Sequence, residues 1–302
     1  MTAVPDASLL AANRTWGETA RLYLDITRPR VMALVIFTGL PALLLGRAEW
    51  PDLASAVWVL IGTAFAGGAS SALNAYFERE SDAHMARTRR RPLPAAMLLP
   101  RVVFTYGLLL ALGGTAILWA VGGALAASVG LATIAFYVGV YTLWLKPRTP
   151  QNIVIGGAAG ATAPLIASAA INGHITPGAW VLFTIIFLWT PPHFWAIALF
   201  RKSEYAQASI PMMPLVVGDH GTRLRSLAYT LVLVPVTLVP VLFGDLSVFY
   251  GACAVSLGGW FTWSVIRSVL ARDYSVDYGV FRRSIAYLFL LFLAMLVDLT
   301  LA

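Results

Sequence analysis

The sequence predicts an all-α, polytopic membrane protein with nine transmembrane helices, and three observations carry that prediction. Of 302 residues, 59% are hydrophobic, and the mean hydropathy is +0.77. Charged residues make up 12%, about half the ~25% usual in soluble domains. Apolar stretches of bilayer-spanning length, roughly 17–25 residues, recur along the whole chain.

The expected spans are 31–47, 54–77, 102–121, 123–145, 152–171, 178–200, 227–244, 248–270 and 284–301. The connection between the third and fourth is so short that they must form a tight hairpin. Residues 1–30 are read as a cytoplasmic segment with an interfacial amphipathic helix at about 11–24. Residues 31–302 are read as one transmembrane domain, since no linker or low-complexity segment divides them. No early apolar run with a small-residue cleavage site precedes the spans, so no cleavable signal peptide is expected. The single cysteine, Cys253, lies in an apolar run and reads as a buried, inert thiol.

Lysine and arginine cluster at the N-terminus and in the connections after spans two, four, six and eight, and only Arg47 falls on the other side. This bias predicts a cytoplasmic N-terminus and a C-terminus on the outer face. The net charge of +7 is then mostly a topology effect. The basic residues sit in short loops between spans, which argues against nucleic-acid binding.

The connection after span two reads NAYFERESDAHMARTRRRPLP (74–94). Asn74, Glu78 and Asp82 are spaced i, i+4, i+8, which places them on one helix face. The same stripe runs back through Ser70, Ala66 and Gly62, all small residues suited to close helix packing. The stripe therefore faces the bundle interior and turns acidic towards the cytoplasm. Carboxylates there need cations to offset their cost. Magnesium is usually held by one or two carboxylates together with substrate phosphates. Arginine pairs bidentately with phosphate oxygens, and Arg87, Arg89, Arg90 and Arg91 follow at once. Acids for a metal and arginines for a phosphate predict a metal–diphosphate site at the membrane surface. Arg79 and Glu80 lie off the stripe and read as solvated loop residues, as does His84.

The loop after span six is a counterpart. Arg201 and Lys202 can reach a phosphate, Glu204 can bind a metal or orient a base, and Tyr205 can hydrogen-bond. Lys146 and Arg148 can also contact phosphate, although two cations in an inner loop commonly serve topology alone. Pro191-Pro192 is expected to interrupt span six. His193 follows, flanked by Trp189, Phe194 and Trp195. It could ligate an iron, move a proton, or be an interior histidine bonded to a carbonyl. GGAAGA (156–161) lies within a span and has no P-loop lysine, so it is read as a close-packing segment.

Four stretches, TRPRVMALVIFT (27–38), 74–94, LKPRTPQNIVIGGAAGA (145–161) and FLWTPPHFWAIALFRKSEYAQASIPMMP (187–214), resemble the UbiA-type intramembrane prenyltransferases, and in particular the haem-modifying branch. They are spread over residues 27–214 and keep the family's order and spacing. The resemblance implies helices around a central cavity and Mg²⁺-dependent transfer of a farnesyl group. The donor would be farnesyl diphosphate and the acceptor a vinyl group of haem B, giving haem O. It implies that Asn74, Glu78 and Asp82 hold the metal, with Glu204 as a further catalytic acid. It further implies that Arg87, Arg91, Lys146, Arg148, Arg201, Lys202 and Tyr205 serve the diphosphate. His193, Trp189 and Trp195 are the candidate haem contacts, and aromatic faces including Tyr76 and Phe194 could shield cations. Ser203 stands where the family carries an aspartate. The compact N-terminus without a long transit segment is read as pointing to a bacterial inner membrane, with lipid around the bundle, and a homodimer or haem A synthase is the candidate protein partner. A prenyltransferase acting on a quinone or chlorin precursor is the nearest alternative. A secondary transporter is the alternative of another class. Transporters place ionisable groups near the midplane on broken helices, and only Pro191-Pro192 fits that description.

Overall fold

The computed structural model describes residues 14–45, 50–85, 88–208 and 210–301. These residues form helices and no strand. In chain order they are α1 (Trp16–Ile26), α2 (Pro29–Leu44), α3 (Leu53–Ala83), α4 (Pro100–Ala135) and a π-helix (Phe136–Leu145). Then follow α5 (Asn152–Gly160), α6 (Ala163–Asn172), α7 (Pro177–Phe200), α8 (Lys202–Gln207), α9 (Met213–Val216), α10 (Gly218–Thr237), α11 (Val239–Leu242), α12 (Val248–Ala271) and α13 (Tyr274–Leu301).

Among the described residues, seven helical stretches are long and apolar enough to cross a membrane, or up to eight if the bent α1–α2 pair counts as one span. The longest, Pro100–Leu145, is not one rod. Gly123 has φ 69° and ψ −168°, outside helical space. A Cβ on Gly130 would stand 2.6 Å from Leu118 Cδ1, whereas twelve residues of continuous helix would separate the two by about 18 Å. The chain therefore reverses at Gly123, a backbone conformation that glycine adopts without a side-chain penalty. This is the tight hairpin the sequence requires. The expected count of nine is reached only if the hairpin is taken as two spans and the bent N-terminal pair as one.

The helix expected at about 11–24 is present as α1. It starts at a capping box in which Thr15 Oγ1 accepts from Glu18 N and Glu18 accepts from Thr15 N. Residues 11–13 lie outside the described set. A 55° bend then leads into α2. Its pivot is Arg28, a non-glycine residue at φ 54°, a conformation that costs roughly 1–2 kcal/mol.

The helices close into a ring. α2 packs on α3 and α6, α3 on α4, α4 on α6, α5 on α7, α7 on α10, α10 on α12 and α12 on α13. α13 returns to α2, where Phe289 stacks on Phe37 at 4.8 Å. α7 is the inner member, touching α5, α10 and α13. The small residues of GGAAGA pack as expected. A Cβ on Gly156 would meet Tyr141 at 2.2 Å, and one on Gly157 would meet Thr190 at 2.8 Å.

Several expectations are corrected. α7 runs through Pro191-Pro192 without a break. The preceding Thr190 sends its hydroxyl to Ile186 O at 2.8 Å, as a helical threonine does, and the prolines withhold only their own donors. The break falls in the fifth span instead, between α5 and α6, where Thr162 accepts from Thr133 Oγ1 at 3.0 Å. The helices of the seventh and ninth spans begin about ten residues before the stretches that hydropathy marks, and these added turns bring charged residues together in a buried pair. Arg223 forks onto both oxygens of Asp277 at 3.0 and 2.6 Å, and the two side chains are 3% and 0% exposed. Asp298 is buried and accepts from Ser247 N at 2.7 Å at the head of α12.

Candidate functional site

The expected stripe on α3 is realised along its whole length. Gly62, Ala66, Ser70, Asn74, Glu78 and Asp82 are all buried. At 31 residues the helix is about 46 Å long, so its acidic end projects past the ~30 Å hydrocarbon core.

Each polar member has a fixed partner. Glu78 is 7% exposed and forms an ion pair with Lys146 Nζ. Asp82 is 2% exposed and accepts from Arg91 Nη1 at 2.7 Å. Asn74 is 1% exposed; its Oδ1 accepts from Arg28 Nη2 at 3.0 Å, and its Nδ2 donates to Thr142 Oγ1 at 3.1 Å. Arg28 also stands in the electrostatic field of Glu78 and Asp82. Three cations thus surround two carboxylates at one end of the bundle, and the surplus positive charge is suited to an anion.

The backbone that presents Lys146 is unusual. Residues 136–145 form a π-helix, and both Lys146 N and Thr142 Oγ1 donate to carbonyls five residues back, Tyr141 O and Tyr137 O, at 2.9 Å. Such wide turns recur at functional sites. Here the turn sets Thr142 against Asn74 and Lys146 against Glu78.

The second loop meets the first. Met85 packs with Ile153, Ala198, Ile210 and Met212, and Tyr205 lies against the same cluster. Tyr141 feels the charge of Glu78 and Arg28 and lies close enough to Tyr205 to interact with it. Arg201 and Glu204 pair with each other at 2.6 Å. Lys202 donates to Asp219 at 2.7 Å, and Asp219 also accepts from Tyr274 Oη at 2.5 Å.

Some expected residues stand elsewhere. Arg148 donates at 3.0 Å to Leu143 O and Trp144 O, so it serves helix-end carbonyls and not the carboxylate cluster. Trp195 is buried against Tyr229 of α10, nearly opposite His193 around α7. Tyr76 lies under Arg79 and against Phe77 and Phe104. Arg87 lies outside the described residues. Arg79 pairs with an exposed Glu80 at 3.1 Å, as read from sequence, and His84 is a surface histidine on Glu80 O. Trp189 and His193 do come together. Their rings stack at 4.3 Å, with Phe281 of α13 on the imidazole's other side at 4.8 Å.

Arg28 and Asp219 were not singled out by sequence reasoning. Arg28 falls inside the matched stretch TRPR, and a cation just before the first span was the available signal.

No group of three or more His, Cys, Asp or Glu side chains able to hold a metal occurs among the described residues. The donors on hand are two hard carboxylates one turn apart on a buried face, Glu78 and Asp82. That set fits one magnesium ion sharing substrate phosphate oxygens. Asn74 Oδ1, which accepts from Arg28 as the two carboxylates accept from Lys146 and Arg91, is the third candidate oxygen.

The sequence matches the UbiA prenyltransferase family over residues 35–296. It is 42% identical over 307 residues to the protoheme IX farnesyltransferase of Acidiphilium cryptum (strain JF-5), covering 98% of this chain and 96% of that one. It is 44% identical over 284 residues to the protoheme IX farnesyltransferase of Brucella anthropi, covering 93% and 91%. Among solved structures, one described as digeranylgeranylglyceryl phosphate synthase superposes with a TM-score of 0.79 at 15% identity, covering 94% of this chain and all of that one. A UbiA homologue from Archaeoglobus fulgidus, bound to DMAPP and Mg²⁺, superposes with a TM-score of 0.66 at 16% identity, covering 89% and 98%.

Proposed function

This chain belongs to the UbiA prenyltransferase family, and from that premise we propose that it transfers the farnesyl group of farnesyl diphosphate to a vinyl group of haem B, giving haem O. The near-full-length identity to protoheme IX farnesyltransferases supports the acceptor. The observation that carries the site is the set of three cations around two buried carboxylates at the end of α3.

On this reading substrate binding exchanges partners. Lys146, Arg91 and Arg28 turn from protein oxygens to diphosphate oxygens, and Arg87 and Lys202 add to them from the two loops. Glu78 and Asp82, with Asn74 Oδ1, would then be the residues to hold magnesium, which would supply charge neutralisation to the leaving group when bound. Fixed cations in a water-poor site stabilise charge as it develops on the departing diphosphate. The C1–O bond breaks with its electron pair on the diphosphate, and the vinyl π pair forms the new C–C bond to C1. The carbocation left beside the porphyrin takes a water molecule and loses a proton, which yields the hydroxyethylfarnesyl chain. Tyr205 and Tyr141 border the diphosphate end, and Trp189 and His193 border the haem. The one-sided cations argue for an orientation with this end of the bundle and the N-terminus facing the cytoplasm, and the bacterial sources of the relatives argue for a bacterial inner membrane.

The test is mass spectrometry of the haems formed in membranes given farnesyl diphosphate and haem B, with and without this chain. Haem O is expected only with the chain, and Glu78→Ala and Asp82→Ala are expected to abolish it. A prenylated quinone or chlorin precursor in place of haem O would move the assignment to another acceptor. Full activity in both variants would reject the metal–diphosphate site.

A further inference from the structure

His193 is held on three sides. Trp189 and Phe281 cover its faces, and Ser284 of α13 meets Nδ1 at 2.7 Å. The serine fixes the direction of that last bond. Its one hydroxyl proton goes to Phe281 O at 2.7 Å, and a carbonyl can only accept. Towards the imidazole, Ser284 Oγ therefore accepts, and Nδ1 carries the hydrogen. In the neutral ring this leaves a lone pair on Nε2. A second bond anchors the same residue, since Trp189 Nε1 donates to Ser284 O at 2.8 Å. Trp189 and His193, one turn apart on α7, are thus both tied to Ser284.

Nε2 itself takes no hydrogen-bond partner among the described residues. Nor is it sealed in, unlike Asn152 Oδ1, Trp195 Nε1 and Tyr287 Oη, which are buried without partners. A histidine 8% exposed, immobilised on both faces and by one nitrogen, with the other nitrogen unclaimed, is arranged as histidines that bind metals are. Such residues almost always donate their second N–H to an orienting acceptor, which sets tautomer and basicity. His193 also stands near the diphosphate end of the bundle. Thr190, three residues before it, packs at Gly157, and Tyr141, which feels the charge of Glu78, packs at the adjacent Gly156.

We propose that Ser284 is a positioning residue that fixes His193 as the Nδ1–H tautomer, so that Nε2 ligates the iron of the haem substrate and sets the macrocycle's vinyl edge towards the farnesyl donor. This rests on the haem reading above. Coordination is by the imidazole lone pair and involves no change in redox state.

The experiment is titration of the purified full chain with haem B, followed by the absorption and electron paramagnetic resonance spectra of the ferric complex. Haem O formation is measured in parallel. The wild-type spectrum should be that of a nitrogen-ligated haem, and His193→Ala should lose it. Ser284→Ala should weaken haem binding by roughly ten- to a hundredfold and shift the spectrum towards the weaker-ligand form. Ser284→Thr, which keeps the hydroxyl, should restore both. If Ser284→Ala does not accumulate, Ser284→Cys is read in its place, since it is near-isosteric with a much poorer acceptor. A haem spectrum unchanged in His193→Ala, or haem affinity and spectrum unchanged in the Ser284 variant, overturns the inference even if haem O is still made. Failure of the wild-type chain to make haem O overturns the functional reading instead.

Discussion

Replacing Lys146 by methionine removes the ammonium that faces Glu78 and leaves a carboxylate 7% exposed without its ion-pair partner. Breaking a buried pair from one side costs about 3–5 kcal/mol. The side chain of Lys146 is itself 20% exposed, so water relieves part of the loss, and about 3 kcal/mol is expected. Glu78→Gln should cost less, on the order of 1–2 kcal/mol, because a lysine freed of its partner can extend its flexible stem to water. The double variant has neither charge. It should recover at least about 1.5 kcal/mol of the summed single losses, the signature of two groups that meet. The measurement is unfolding in detergent, followed by the fluorescence of the chain's 10 tryptophans. All three variants should also lose haem O formation, since both side chains are assigned to the diphosphate site. Single losses that simply add within about 0.5 kcal/mol would show that Lys146 and Glu78 do not form the pair.

Asp82→Asn keeps the size and removes the charge. It should lower turnover by roughly 10²–10³, in the range seen when one transition-state-stabilising group is lost, with the fold intact by fluorescence. Gly157→Ala places a methyl 2.8 Å from Thr190 Cγ2 and should cost about 1–3 kcal/mol by overpacking. Thr190→Ser removes that methyl and should recover most of the loss, so no recovery in the unfolding midpoint would refute the contact. Arg223→Met strands Asp277 in the interior and should destabilise by about 3–5 kcal/mol. Arg223→Met with Asp277→Leu should be close to neutral, and haem O formed per folded molecule should not change in either. A stable single variant would refute the buried pair.

The acidic stripe was legible because an i, i+4 repeat defines a helix face wherever that helix sits. Its partners were not. Glu78 and Lys146 are 68 residues apart in sequence, and they meet through a π-helix whose composition, FYVGVYTLWL, is that of any apolar span. The hairpin at Gly123 followed from length alone, since 46 apolar residues cannot cross a bilayer once. Arg28 was hidden by its setting at a strained bend before a proline. Pro191-Pro192 misled for the opposite reason. Two prolines in a helix withhold only two donors, and packing between α5, α10 and α13 keeps α7 straight enough to carry His193 to Ser284. Arg223 and Asp277 read as loop charges because hydropathy cannot see a pair formed across 54 residues.

The π-helix has a consequence for how this chain can change in length. Each of its backbone bonds closes over one residue more than an α-helical bond does, so the stretch tolerates a one-residue shortening by rewinding into the commoner coil. That repair would leave the segment fully hydrogen-bonded and still apolar. It would also replace the five-residue bonds to Tyr137 O and Tyr141 O that now hold Thr142 and Lys146, and so move the side chains that meet Asn74 and Glu78. Deletion of one residue between 137 and 141 should therefore yield a chain that inserts and folds but no longer works. The spacing of this segment is set by the reaction and not by the membrane.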